Sequence, residues 1–158
     1  RLVMRQMTTD DAAFVCELLN SPKFLKYIGD RGVRTADDAA KFITERYTAS
    51  YREHGYGLYL VIADDIPIGM CGFVRRDTLP GPDIGFAFLP VYEGKGFGFE
   101  SANALMDYGR DILGFNIVYA ITSLDNVVSG RLLKKLGFEM KEEIIIGSET
   151  LKLFSKII

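Results

Sequence analysis

The stretch Asp83-Ile84-Gly85-Phe86-Ala87-Phe88-Leu89-Pro90 decides how this 158-residue sequence is read, together with Gly94-Lys95-Gly96-Phe97-Gly98-Phe99-Glu100-Ser101-Ala102 three residues later. The first part is an apolar, β-rich run halted by Pro90. The second is a set of three alternate glycines opening a helix, with Ala102, Leu105, Met106, Gly109, Ile112 and Leu113 recurring on one side until Gly114 ends it. Glycines present no side chain to an approaching ligand and permit dihedrals that other residues resist. The first amides of a helix lack intrahelical acceptors and carry partial positive charge, so the unit forms an anion cradle suited to a phosphate or pyrophosphate, with Lys95 adding a cation at its rim. The competing reading is a turn that only packs the helix on the sheet. Spacing excludes two familiar nucleotide motifs. A P-loop GxxxxGK[ST] is absent, and the dinucleotide fingerprint would need glycine at Phe99 and an acid about 20 positions later, near Val118 and Tyr119.

Outward from this unit, the pattern predicts one mixed α/β domain over residues 1–158. A strand at 2–7 leads to a helix started by the capping box Thr8-Thr9-Asp10-Asp11, with Ala12, Val15, Cys16 and Leu19 at helical spacing and a stop at Asn20-Ser21-Pro22. A second helix starts at Thr35, with Asp38 three residues on, and is expected to bury Ala36, Ala40, Ile43, Tyr47 and Tyr51. It ends at His54 and Gly55, where a histidine sits well against the helix dipole. Strands at 57–63 and 68–74 flank an Asp64-Asp65-Ile66-Pro67 hairpin, and Pro80-Gly81-Pro82 turns into the strand at 83–89. Beyond the long helix come a nearly all-apolar strand at 117–122, a short helix at 126–136 closed by Gly137, and strands at 142–146 and 150–157 around Gly147-Ser148, with 139–143 as a solvated strand start. The resulting order is β-α-α-β-β-β-α-β-α-β-β, with the strands either side of the long helix parallel.

Composition narrows the function. The chain has 19 Lys+Arg against 21 Asp+Glu, a formal charge of −2, which lacks the basic excess a phosphate-neutralising nucleic-acid binder needs. No apolar run approaches the ~18 residues of a membrane span. His54 is the only histidine, and Cys16 and Cys71 have no metal-ligand spacing, so both thiols are expected in the core and no metal is expected. Arg1 in place of Met reads as a trimmed start. These features give the expectation of a cytoplasmic protein with no nucleic-acid or membrane partner.

Four segments in register resemble the GNAT superfamily of N-acetyltransferases, and within it the RimJ/RimL-type branch. They are the quoted strand and glycine turn, Asn126-Val127-Val128-Ser129, Leu132-Leu133-Lys134-Lys135-Leu136-Gly137-Phe138, and the opening Leu2-Val3-Met4-Arg5 with Ile68-Gly69. The resemblance implies a GNAT-like acyl-CoA N-acyltransferase fold and acetyl-coenzyme A as co-substrate. Its pyrophosphate would rest on the amides of Gly94, Lys95, Gly96, Phe97, Gly98 and Phe99. Its pantetheine would run along the backbone of Phe86, Ala87, Phe88 and Leu89 in a gap between the fourth and fifth strands. Asn126 resembles the family's pantetheine contact and Ser129 a residue near the thioester sulfur. The family implies an amine acceptor, either a protein N-terminus or a small molecule, and a monomer or homodimer. Two positions depart from the pattern. Glu93 stands where relatives carry Gln, Arg or Trp, and Leu133 stands seven residues after the Asn, where many have a tyrosine acid. That moves the acid role to Ser129.

The chemistry is undemanding enough for so sparse a site. A lysine of pKa ~10.4 must spend about 4.6 kcal/mol to be neutral at pH 7, whereas an α-amino group needs only about 1–1.4 kcal/mol. A thiol of pKa ~8.5 needs about 2 kcal/mol of help to leave as a thiolate, within reach of a hydroxyl hydrogen bond from Ser129. Ser129 could instead serve its own helix start. Asp83, on the strand face shared with Gly85 and Ala87, is the candidate base; the alternative is an exposed carboxylate after the turn. Residues 21–34 form a long connection carrying Lys23, Lys26, Arg31 and Arg34 against Asp30, which favours an acceptor bearing negative charge if it is more than a solvated loop. The expectation is direct transfer in a ternary complex; a non-catalytic acyl-CoA binding or sensing module is the rival reading.

Overall fold

The computed structural model describes residues 1–158. Strand β1 (Leu2–Gln6) leads through a 3₁₀ turn into helix α1 (Ala12–Leu19). The entry is fixed by the expected capping box: the Thr8 hydroxyl accepts from the Asp10 amide and the Thr8 amide donates to Asp11. Asp11 also receives both Arg5 nitrogens, at 2.9 and 2.8 Å, and this pins the helix start to β1. The second box, Thr35 with Asp38, opens α2 (Ala36–Phe42). From there the helix continues through a π-helical stretch at Ile43–Thr48 into α3 (Ala49–His54), closed by left-handed Gly55. Ile43 and Tyr47 are buried as expected and Ala40 and Tyr51 half-buried, but Ala36, in the first turn, is exposed and Ala39 is buried in its place. Residues 21–34 are not wholly irregular either, since Phe24–Ile28 form a helical turn that seats Phe24 in the core.

The remaining elements are β2 (Leu58–Ala63), β3 (Ile66–Val74), β4 (Asp83–Phe88), α4 (Phe97–Asp111), β5 (Ile117–Ser123), α5 (Val127–Lys135), β6 (Glu139–Ile146) and β7 (Glu149–Ile157). Asp64 and Asp65 both take positive φ, 48° and 64°, as a two-residue primed hairpin turn requires. Ile112 lies past the end of α4 and is 69% exposed, so the buried stripe of that helix stops at Gly109. Cys71 is buried, whereas Cys16 is only half-buried, contrary to the expectation for both thiols.

The seven strands form one mixed sheet in the order β1-β2-β3-β4-β5-β7-β6. One face packs on α1 to α3 through Val15, Leu18, Leu19, Ile43, Leu60 and Met70. The other packs on α4 and α5 through Ile68, Phe73, Ile84, Leu105, Val118, Leu133 and Phe154. Six strand pairs hold the sheet, and five of them are antiparallel with long registers. The pair at its centre is different. β4 and β5 are parallel and meet only at Asp83 and Tyr119, with the Tyr119 amide donating to the Pro82 carbonyl at 2.9 Å. Beyond that point they diverge. β3 holds β4 in place from the other side and needs close backbone approach at Gly72, where an added Cβ would lie 2.1 Å from the Gly57 carbonyl oxygen. Gly72→Ala is therefore expected to lower stability by about 1–3 kcal/mol in denaturant unfolding, with the loss concentrated at the β2–β3 seam in hydrogen exchange.

Candidate active site

The divergence of β4 and β5 creates the site. Along β4 the Leu89 amide donates to the Ile68 carbonyl of β3, and the Pro82 carbonyl accepts from β5. Strand alternation therefore turns the backbone groups of Phe86 and Phe88 toward β5, which has moved out of reach. These amides and carbonyls line a cleft of about 850 Å³ that takes in Asp83, Gly85, Phe86, Ala87, Phe88, Glu93, Gly94, Asn126 and Ser129. Leu89 is buried just beyond it.

At one end of the cleft lies the glycine turn. Gly94 (φ 71°) and Gly96 (φ 85°) adopt left-handed backbone, and Gly96 caps α4. An added Cβ at Gly94 would meet nothing within 4 Å, and one at Gly98 would meet Leu132 at 3.2 Å. None of the amides of Gly94, Lys95, Gly96, Phe97, Gly98 and Phe99 donates a hydrogen bond within the chain; the first to do so is Glu100, to Gly96 at 3.0 Å. Six consecutive unspent donors at a helix N-terminus are the physical signature of an anion site. Glu93 does not oppose it, because its carboxylate is paired with Lys23.

Ser129 and Asn126 sit at the start of α5. The Asn126 side-chain oxygen caps the helix by accepting from the Ser129 amide at 3.2 Å. This leaves the Asn126 amide nitrogen and the Ser129 hydroxyl with no partner in the chain, so Ser129 is not spent on its own helix start. Leu133 is fully buried.

Asp83 is 1% exposed, which overturns the reading of it as a solvated carboxylate. Burial pushes its carboxyl up to about 6, against the opposing pull of Arg76. The Arg76 Nε donates to both Asp83 oxygens, at 3.0 and 3.2 Å. Of the four cations in residues 21–34, Lys23 is taken by Glu93 and Arg34 by Asp30, while Lys26 lies over the Tyr27 ring; Arg31 alone lines the cleft without a partner. Cys71, paired with Phe86 across β3 and β4, does not line the cleft, and burial pushes its thiol up to about 12.

Several lining groups escaped the sequence pattern. Arg76 follows the end of β3 and gives no local sign that it will meet Asp83. Arg46 reaches the cleft from the π-helical stretch, which a 3.6-residue period does not register, and Tyr47, read only as a core residue, also lines it. The hydroxyls of Thr122 and Ser123 on β5 are buried at the cleft without partners.

A family model described as an acetyltransferase (GNAT) domain matches residues 1–139. The chain belongs to this family. As a GNAT acetyltransferase it is 29% identical over 154 residues to the uncharacterized N-acetyltransferase p20 of Bacillus licheniformis, covering 96% of this chain and 86% of that protein. Its fold matches a GNAT-family acetyltransferase from Bacillus anthracis with TM-score 0.81 at 24% identity, over 99% of this chain and 95% of the other. It also matches RimL, the ribosomal L7/L12 alpha-N-protein acetyltransferase in complex with coenzyme A, with TM-score 0.85 at 15% identity, over 99% and 94%. The rival reading as a non-catalytic module gives way to an acetyl-CoA-dependent N-acetyltransferase. No helix is long and apolar enough to cross a membrane.

The Asp83 carboxyl carbon is expected to titrate in NMR with a midpoint near 6, and Arg76→Ala should move that midpoint higher, since it removes the cation that pulls it down. The raised value also means that the folded chain holds a proton which the unfolded chain, at an ordinary 3.8, releases. This group's contribution to stability is therefore complete below pH about 4 and lost as the pH rises through about 6.

Proposed function

We propose that this GNAT acetyltransferase moves the acetyl group of acetyl-coenzyme A to a primary amine by direct transfer within a ternary complex. The run of unspent amides from Gly94 to Phe99, opening onto the unpaired edge of β4, is the observation that carries the reading. In it, the glycine turn holds the diphosphate, and Phe86 and Phe88 offer their backbone to the pantetheine as a neighbouring strand would, whereas Ala87 and Leu89, expected to share that task, spend theirs on β3. The free amide nitrogen of Asn126 adds a donor from α5. The bound co-substrate supplies an activated thioester.

The chain's own groups then have three tasks. Asp83 takes a proton from the incoming ammonium, directly or through a water. Its value of about 6 leaves it ionised at pH 7 yet closer in basicity to an α-amino group than an ordinary carboxylate would be. The amides of Phe86 and Phe88 face the place where the thioester carbonyl gains negative charge, and they are fixed by the β3–β4 ladder before the substrate arrives. The Ser129 hydroxyl donates to the departing sulfur, a task that Leu133 cannot share. Neither cysteine lines the cleft, which supports transfer without a covalent enzyme intermediate. Acceptors presenting an α-amino group suit this site better than lysine side chains, because neutralising a lysine costs about 3 kcal/mol more at pH 7.

Asp83→Asn is expected to lower kcat by about 10²–10⁴-fold and to abolish the acidic limb of the pH–rate profile near pH 6. Ser129→Ala should lower kcat by about tenfold, the scale of one hydrogen bond to a charged group. Both variants should keep coenzyme A affinity within about twofold of wild type in calorimetry. A D83N variant with unchanged kcat and an unchanged acidic limb would remove Asp83 from the reaction.

A further inference from the structure

Away from Asp83 and Ser129, the cleft is walled by the π-helical stretch and the helical turn of residues 24–28, which contribute Phe24, Phe42, Tyr47 and Met70 as an apolar floor. Two cations stand over this floor. Arg31 comes from the connection after the helical turn and Arg46 from the π-helical stretch, so two separate elements aim them into one cavity. Neither side chain makes an ion pair or a hydrogen bond within the chain; eight other Lys and Arg side chains pair with carboxylates, and Arg75, just past the end of β3, also lines the cleft unpaired. Arg46 rests its guanidinium 5.8 Å from the Phe42 ring centre, and both arginines oppose the burial that pushes the Tyr47 hydroxyl up.

The carboxylates that line the same cleft are mostly occupied. Glu93 is bound by Lys23, Asp83 by Arg76, and Glu45 has Lys41 at 3.9 Å, whereas Glu53 has only His54 at 3.9 Å, a neighbour that carries charge only when protonated. Glu149 has no ion-pair partner but belongs to the β6–β7 hairpin, on the far half of the divided sheet. At the helical wall the unpaired Arg31 and Arg46 outnumber Glu53, so the net unspent charge is positive. Arg31 and Arg46 are exposed at the mouth of the cleft, and guanidinium groups present planar donor forks matched to carboxylates.

We propose that Arg31 and Arg46 form an acceptor subsite for a carboxylate, so that the preferred substrate is an amine carrying an acidic group close to the reacting nitrogen, such as a peptide N-terminus followed by Glu or Asp. The inference rests on the transferase reading and names the acceptor class for that site. It sets this chain apart from an enzyme for polyamines or other polycations, which two unpaired arginines would repel.

The test uses three peptides that differ in one side chain: Ala-Glu-Ala amide, Ala-Gln-Ala amide and Ala-Lys-Ala amide. Binding is measured by calorimetry in the presence of coenzyme A, and kcat/KM by thiol release from acetyl-coenzyme A. The Glu peptide should bind about five- to tenfold more tightly than the Gln peptide and show a matching gain in kcat/KM, with the Lys peptide weakest. The double variant R31Q/R46Q should bring the Glu peptide down to the Gln value, and R31E/R46E should invert the order in favour of Lys. Salt should narrow the wild-type preference. Equal values for the three peptides, a preference for Lys, or a Glu preference that survives R31E/R46E would each overturn the proposal while leaving the transferase reading in place. Absence of thiol release with every peptide, together with no rise in melting temperature on adding coenzyme A, would count against the transferase reading and this inference with it.

Discussion

Everything the cleft can do follows from one missing ladder. A parallel pair at the centre of a sheet ordinarily exchanges backbone hydrogen bonds along its length, because unpaired peptide groups in the interior are costly. Here β4 and β5 share only the Asp83–Tyr119 register and then part. The cost is tolerable because both strands are held from their outer sides, β4 by six paired residues of β3 and β5 by seven of β7. The sheet thus keeps its order while leaving an edge inside the molecule, and the unused groups of Phe86 and Phe88 are available to a ligand. The glycine turn extends the same principle past the end of β4, adding six further amides with no acceptor.

Charge is handled in two ways around this opening. Groups that would disturb it are neutralised internally: Lys23 holds Glu93 beside the glycine turn, and Arg76 holds the buried Asp83. The second pair is unequal, since Arg76 is 35% exposed and Asp83 almost fully enclosed, and burial outweighs the cation in setting the carboxyl's affinity for protons. Arg31 and Arg46 receive no such treatment. What singles them out is their position, on two separate elements above one apolar floor of the cleft.

Much of the fold was legible from local pattern. Both capping boxes, the Gly147-Ser148 turn, the glycine-led helix and the order of elements rest on short-range rules and appear as read, whereas the first hairpin is tighter than read, with Ile66 and Pro67 already in β3. The divergence of β4 and β5 was implied only by resemblance, since nothing in residues 83–89 or 117–122 alone says that neighbouring strands will separate. What escaped was tertiary. The π-helical stretch at Ile43–Thr48 places Arg46 and Tyr47 on the wall of the cleft. Arg76 meets Asp83 across the turn that joins β3 to β4, a pairing no spacing rule encodes. Ile112 satisfied the helical period but falls after α4 has ended. The cations of residues 21–34 looked alike in sequence and separated only when their partners were known.

The account depends on the amides between Gly94 and Phe99 being the grip on the diphosphate of the co-substrate. The most direct measurement is a ¹H–¹⁵N titration of the protein with coenzyme A and, in parallel, with pantetheine, which lacks the diphosphate. Coenzyme A should shift the amide resonances of these six residues strongly, whereas pantetheine should move those of Phe86 and Phe88 and leave the glycine turn nearly unchanged. Saturable binding of coenzyme A with the 94–99 amides unmoved would contradict the account.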